Sequence, residues 1–375
     1  SGKIGSRNTV ASIYAADELP TTDTASGAAY AHFPVLRYKR ALSEDSYVGG
    51  IYTGRELSNH FNRVLGVDGL FRLTESSTGG FHGMLSRTKA DAGSPAVSGH
   101  SFGIHYTRGT RNVDYSLVAK EISRDFQVET GFITRTGLLQ FSGLLRPKFY
   151  PNSRVVRRID AELFTAQSRD AFSGRWETFN HISFLHYLWG SLLFKLKYSY
   201  STEIFLGQRF QTGGYHVYGG GQFTNRLFFS VLYRNVKAIF YSADPYQGRS
   251  NRLTADLVIQ PSDKLRSEVN LTYYDFSRQS DAEKIYDYAI ARGKVTYQLS
   301  KYLFFRGILE YNDYRRQLLA DLLASFTYIP GTVIHVGYGS LREKIRWQNG
   351  EYVESDQFLE TKRRFFFKAS YLWRI

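Results

Sequence analysis

The chain has 375 residues, with 48 Lys and Arg against 34 Asp and Glu, a formal net charge of +14. Cysteine is absent, which excludes disulfides, thiolate metal sites and cysteine nucleophiles together. Hydrophobic residues make up 42%, yet no uncharged apolar run reaches the length of about 18 residues that a transmembrane helix needs.

From its first residues the chain shows a period of two, which places alternate side chains on opposite faces of a strand. Gly2 to Ala15 reads as a strand without a lead-in or a secretory signal peptide before it, as expected for the C-terminal part of a longer polypeptide. Leu19 to Ala28 and Lys89 to Ser98 read as longer polar loops. Phe102, Ile104 and Tyr106 oppose Ser101, Gly103, His105 and Thr107, and Tyr115, Leu117 and Ala119 oppose Asp114, Ser116 and Lys120. Asn152-Ser153 reads as a tight turn. Leu192, Phe194, Leu196, Tyr198 and Tyr200 then oppose Ser191, Lys195, Lys197, Ser199 and Ser201. Gly207 to Gly214 is expected to be a longer loop. Gly219-Gly220-Gly221 is expected to be a bulge or a tight passage inside a strand, since no Lys-Ser/Thr pair follows to make a phosphate loop.

Leu227 to Ser242 is apolar on both faces over part of its length, as if it lay against a plug or another protein. A tight turn at Ser262-Asp263 leads into the clearest segment. There Leu265, Ser267, Val269, Leu271 and Tyr273 oppose Lys264, Arg266, Glu268, Asn270 and Thr272. Asp281 to Ala289 has room for one or two helical turns but is expected to join a strand, and Leu299-Ser300-Lys301 is expected to be a tight turn after Val295 and Tyr297. Leu318 to Val336 is the longest apolar stretch, but Asp321, Pro330 and Gly331 interrupt it. It reads as two strands joined by a Pro330-Gly331 turn. Trp347 to Glu360 is expected to be another longer loop. Phe365, Phe367, Ala369, Tyr371, Trp373 and Ile375 oppose Arg364, Lys368 and Arg374 in the last strand.

About 20 such segments, with a range of roughly 18 to 22, fit the chain, and each has room for the roughly 9 to 11 residues that cross a bilayer. Short connectors alternate with longer ones, and 28 Tyr and 28 Phe crowd the strand ends. The expected fold is all-β, a transmembrane antiparallel β-barrel with an apolar lipid face and a polar lumen, formed by residues 1–375 as one domain. The mean hydropathy of −0.34 is compatible with it, because only one face of each strand meets lipid.

Parity selects the residues expected to face the lumen: Lys195, Lys197, Arg266, Glu268, Arg292, Lys294 and Lys368. They make either a solvated, ion-paired wall or a lining that favours anions. Trp176, Trp189, Trp347 and Trp373 are candidates for the aromatic girdles at the membrane interfaces. Tyr371, Trp373 and Ile375 end the chain as an insertion signal for barrel-assembly machinery would. His100 and His105, like His181 and His186, differ by odd numbers and so fall on opposite faces, which argues against metal ligation from one strand. No nucleophile-elbow pattern or clustered Ser, His and Asp nominates a catalytic triad, and no cofactor is expected. Basic residues are dispersed at strand spacing rather than gathered in a patch. That argues against nucleic acid and favours lipopolysaccharide or an anionic solute as the partner of the positive charge.

Several stretches together resemble a known family. Asn62, Arg63, Gly66, Val67 and Asp68 precede a Phe-x-x-Glu-x-Gly-Phe-x-x-Arg pattern at Phe126, Glu129, Gly131, Phe132 and Arg135. Tyr311, Asn312 and Asp313 follow, then Tyr328, Pro330, Gly331, Thr332 and Val333, then the run from Lys368 to Ile375. This order resembles the uncharacterised outer-membrane barrels whose N-terminal part is similar to a family-nine carbohydrate-binding module. The resemblance fits the C-terminal barrel portion and implies location and architecture, not a reaction.

The sequence therefore points to a bacterial outer-membrane barrel that forms a pore or plugged transport channel for a solute, carbohydrate-related by the resemblance alone. The competing reading is a non-conducting anchor in a larger outer-membrane or cell-surface complex. Lipid, lipopolysaccharide, barrel-assembly machinery and envelope proteins are the expected partners.

Overall fold

The structure is a computed structural model that describes residues 1–18, 30–329, 331–348 and 350–372. It contains 21 strands and, among the described residues, no helix. The first nine are β1 (Gly2–Ile4), β2 (Asn8–Glu18), β3 (Tyr30–Ser43), β4 (Ser46–Glu56), β5 (Phe61–Thr74), β6 (Ser77–Lys89), β7 (Val97–Gly109), β8 (Val113–Ile122) and β9 (Leu138–Phe149). Next come β10 (Val156–Asp170), β11 (Trp176–Leu188), β12 (Leu193–Phe205), β13 (Gln208–Thr224), β14 (Leu227–Phe240) and β15 (Tyr246–Ser262). The last are β16 (Leu265–Arg278), β17 (Lys284–Gln298), β18 (Leu303–Asn312), β19 (Gln317–Ile329), β20 (Thr332–Gln348) and β21 (Glu351–Ser370). All belong to one 21-stranded sheet.

Two compact units are distinguished. One comprises Ser1–Lys148, Ala161–Ile182 and Tyr200–Arg209; the other comprises Phe149–Asp160, Ser183–Ser199 and Phe210–Ile375. In the first, β1 to β9 form an antiparallel meander in which each strand pairs with the next. In the second, β13 to β21 do the same. Connector length alternates in both. In the first unit residues 44–45 and 75–76 make two-residue turns at one strand end, while 90–96 and 123–137 make long connectors at the other. In the second, 225–226 and 263–264 are tight, whereas 241–245 and 279–283 are longer.

Several sequence-based expectations about connectors are corrected. Gly207 to Gly214 is not a loop: Leu206 (φ 46°) and Gly207 (φ 76°) make a two-residue turn, and β13 starts at Gln208. Two consecutive positive φ values are what a type I′ hairpin requires. The glycines that suggest a loop instead let strands approach, since a Cβ on Gly214 would lie 2.2 Å from the Asn235 carbonyl oxygen. Trp347 and Gln348 end β20 and Glu351 to Glu360 belong to β21, with Trp347 opposite Tyr352 and Gln348 opposite Glu351, so this stretch is not a long loop. Asn152-Ser153 sits in a six-residue connector, 150–155, rather than a tight turn. Asp281 to Ala289 does join a strand as expected, β17, from Lys284 on. The expected Leu19 to Ala28 loop and Pro330 lie outside the described residues.

The strands carry an apolar and a polar row over most of the sheet, as β5 and β16 show. On β5, Leu65 and Val67 are exposed, while Asn62, Val64 and Gly66 on the other face are buried. The exposed row continues across the register to Leu85 and Phe81 on β6 and to Phe102 and Ile104 on β7. In the second unit Val269 and Leu271 on β16, Leu309 on β18 and Leu322 on β19 form the equivalent exposed row. The buried side chains of the first unit include Asn62, Ser86, Thr88 and Ser101, so its covered face is the polar one. That inverts the arrangement of a water-soluble sandwich, where the apolar rows are packed inward.

Candidate functional site

In the first unit the polar face is covered by the connector between β8 and β9, residues 123–137, which has no regular secondary structure. Asn62, wholly buried, is its anchor. The Asn62 amide nitrogen donates to Thr88 Oγ1 at 2.7 Å and to the Gln127 carbonyl at 3.0 Å. Its carbonyl accepts from the Glu129 backbone N–H at 2.9 Å. Gln127 N–H donates to Ser86 Oγ at 3.2 Å, and the Thr130 hydroxyl donates to Thr53 Oγ1 at 2.9 Å. An irregular segment packed on a sheet must find partners for its own amides and carbonyls, and the short polar side chains of β4, β5 and β6 supply them.

Charge reinforces the clasp. Glu129 Oε2 lies 2.9 Å from Arg55 Nη1 and 2.7 Å from His60 Nε2, while His60 Nδ1 lies 3.1 Å from the Ala90 carbonyl. At the other end of the segment, Arg135 bridges Asp170 at 2.8 Å and Glu177 at 2.5 Å. Phe126 is 2% exposed, and the strand below it carries Gly99. A Cβ there would lie 2.3 Å from the Phe126 backbone nitrogen, so only glycine lets the segment descend this far. Phe132, by contrast, is 88% exposed on the same segment.

Further along the same face lies a dense ion-paired cluster. Glu162 accepts from Arg146 Nε at 2.9 Å and lies 2.8 Å from His181 Nε2. Asp114 pairs with Lys148 at 2.5 Å. Glu162 is 6% exposed overall, so its charge is held by partners rather than by water.

The polar face of the second unit is a ladder of charge read directly across the register. Asn270 Nδ2 donates to Asp256 opposite it at 2.7 Å. Arg292 reaches Glu310 opposite it at 3.3 Å, and Lys294 reaches Glu268 opposite it at 3.0 Å. Arg266 also holds Glu268, at 2.8 Å. Toward the 279–283 connector the same rows turn aromatic. Phe276 is 1% exposed and stacks on Tyr286 with centroids 5.6 Å apart, and Tyr286 stacks on Tyr274 at 5.9 Å. Phe240 and Tyr246 extend the group at 4.8 Å. Gly248 makes room for it, since a Cβ there would lie 2.2 Å from Phe276 Cζ.

The structure thus joins Arg266, Glu268 and Lys294 in one cluster and Arg292 in the neighbouring pair. Lys195 and Lys197 lie on β12 between the exposed positions Leu196, Tyr198 and Tyr200 and alternate with them. Lys368 stands opposite His335 on β21, apart from the other six. Trp176 opens β11 and Trp189 follows its last residue; they are 43% and 46% exposed. Trp347 is 59% exposed and meets Tyr352 edge-on at 4.7 Å. Tyr371 is exposed, whereas Trp373 and Ile375 lie outside the described residues. Among the described residues no three His, Asp or Glu side chains are grouped as a metal site would need.

Sequence reasoning missed the anchoring role of Asn62 and the Arg146–Glu162–His181 cluster. Both depend on which strands become neighbours, which alternation within one strand does not reveal. The aromatic group was within reach, since Tyr274 and Phe276 share parity with Arg266 and Glu268, and Tyr286 with Arg292. The two family-like stretches, at Asn62 and at Phe126 to Arg135, prove to be partners in one clasp.

No family model matches the chain, and no curated protein matches its sequence. Solved structures do match its fold. The ferric enterobactin receptor PfeA of Pseudomonas aeruginosa is similar over 97% of this chain and 73% of its own, with 9% identity and a TM-score of 0.52. The siderophore receptor PirA of the same organism matches over 91% and 72%, with 10% identity and a TM-score of 0.54. The copper transporter OprC matches over 97% and 76%, with 8% identity and a TM-score of 0.58. At such identities the likeness is one of fold: an all-β, antiparallel transmembrane barrel, here with 21 strands.

Proposed function

We propose that the chain is a non-enzymatic barrel of the bacterial outer membrane that passes a solute, with the polar face as the wall of its path. The observation that carries this reading is the division of strands such as β5, β16 and β18 into an exposed apolar row and a polar row, organised in the second unit by ion pairs. An apolar row without a protein partner suits lipid, and a row of charges suits a wet interior. Barrels of about 22 strands, as in outer-membrane transporters, enclose a lumen that a plug can fill. The proteins of similar fold are described as receptors or transporters of ferric enterobactin, siderophores and copper. For this chain the net charge of +14 supports a polar solute with anionic groups. A carbohydrate-related solute is supported only by the family resemblance.

The segment 123–137 gives the wall a feature beyond a plain pore, an irregular segment clasped to the polar face through Asn62 and Glu129. The test is conductance of the intact polypeptide in a planar bilayer. Steady steps with anion preference are expected, larger when the clasp is weakened. A folded barrel that stays silent in both forms overturns the open-pore reading and leaves a plugged transport channel or the anchor. The exposed Phe365 (75%) and Phe367 (69%) on β21 suit the anchor reading as a surface for a partner.

A further inference from the structure

The exposed apolar face of the first unit ends abruptly in cations. Across β5 and β6, Leu65 stands opposite Leu85, the next outward-facing pair is Arg63 opposite Arg87, and the one beyond is Phe61 opposite Lys89. Like charges directly opposite one another destabilise a strand pair unless something neutralises them. Arg63 is neutralised: Glu56 accepts from its Nε at 2.7 Å and its Nη2 at 2.8 Å, and its guanidinium lies 4.4 Å from the centre of the Phe61 ring. Arg87 and Lys89 have no carboxylate within ion-pairing distance among the described residues. The nearby acids are already engaged. Asp91 accepts from the Gly93 and Ser94 amides and the Ser94 hydroxyl, and Glu121 faces His100 at 3.7 Å one row lower.

We propose that Arg87 and Lys89, with Arg63 beside them, bind the phosphate of an outer-leaflet lipid, a lipopolysaccharide whose acyl chains lie on the apolar face below. Charge complementarity identifies the headgroup, because a guanidinium fork beside an ammonium suits a phosphate, and among the described residues the only carboxylate acting on either is Asp91, which attracts Lys89 from beyond ion-pairing distance and is already engaged by Ser94 and Gly93. Continuity identifies the rest of the molecule. Leu65 (61% exposed), Leu85 (57%) and Ile104 (64%) run directly from the cations into the lipid-facing surface. The leaflet follows from connector length. These cations lie at the end of the 57–60 and 90–96 connectors, opposite the two-residue turns 44–45 and 75–76, and short turns mark the periplasmic side of such barrels. The bland alternative is a pair of solvated rim cations reaching past the lipid into water.

The intact protein, purified in detergent, is mixed with hexa-acylated lipid A carrying both phosphates or with the same lipid stripped of them, and retention is read by native mass spectrometry. The unaltered chain is expected to retain the phosphorylated lipid at least about tenfold better. The double variant R87Q/K89Q is expected to lose about fivefold per charge removed. R72Q, at the other end of β5 beside the two-residue turns, is expected to leave retention unchanged. Equal retention of the two lipids by the unaltered chain overturns the site, and that comparison needs no variant to fold. Equal retention by a folded R87Q/K89Q variant also overturns it.

Discussion

Replacing Asn62 with Ala isolates the clasp on the polar face. The substitution deletes two donated hydrogen bonds and one accepted one, at 2.7, 3.0 and 2.9 Å, in a site with no access to water. The Thr88 hydroxyl can turn to another acceptor, but the Gln127 carbonyl and the Glu129 N–H are fixed on the segment. Each orphaned buried group costs about 1–3 kcal/mol, so about 3 kcal/mol is a reasonable sum for the two. That cost falls on docking of the 123–137 segment rather than on the sheet, since the pairing of β5 with β4 and β6 runs through backbone groups that the substitution leaves in place. Hydrogen exchange of the intact protein in detergent should therefore show protection around Gln127 and Glu129 falling by roughly 100-fold, with β4 to β7 nearly unchanged. Asn62→Asp should do at least as much, because a carboxylate does not donate to the Gln127 carbonyl and adds charge beside Glu129. Unchanged protection of the segment, or equal loss across all four strands, would refute the anchoring role.

Other expectations follow from the same geometry. Gly99→Ala should release the segment by a different route, because the new Cβ would lie 2.3 Å from Phe126 N; the same exchange experiment should show loss at Phe126 even with Asn62 intact. Lys294→Glu replaces the 3.0 Å contact to Glu268 with a like-charge pair, so the reversal potential across a salt gradient should move toward cations, and an unmoved potential would place this ladder outside the conducting path. Asp91, in the 90–96 connector, is held below the usual carboxylate range by the Ser94 hydroxyl and the Ser94 and Gly93 amides. A depressed folded pKa means its stabilisation of the turn is fully present above about pH 4, the ordinary carboxylate value, and is lost as pH falls through the lower folded value. Exchange at the Ser94 amide, corrected for its intrinsic pH dependence, should accelerate only in that acid window.

Much of the sheet was legible because a period of two is a property of one strand alone. The Lys264 to Tyr273 segment shows both rows without reference to any neighbour, and the structure places them on opposite faces of β16. Connectors were less legible where glycine or charge has two meanings. Gly213 and Gly214 resemble a loop in sequence but serve close strand approach, and the acidic stretch Glu351 to Glu360 resembles a loop but is strand that carries no sustained apolar row. The clasp was hidden for a deeper reason. Asn62 and Gln127 are 65 residues apart, and only the accumulated register of three strand pairs brings them together. No local pattern distinguishes a segment that folds over the sheet from one that projects into solvent.

The role proposed for the polar face depends on which face of the sheet meets lipid. The absence of cysteine makes a single-cysteine nitroxide scan in liposomes straightforward, along residues 64–68 in one unit and 266–271 in the other. Labels at Leu65, Val67, Val269 and Leu271 should be relaxed by membrane-dissolved oxygen, and labels at Asp68, Arg266, Glu268 and Asn270 by a water-soluble nickel reagent. An alternation with the opposite phase, or none at all, would contradict the assignment of the polar face as the wall of the path.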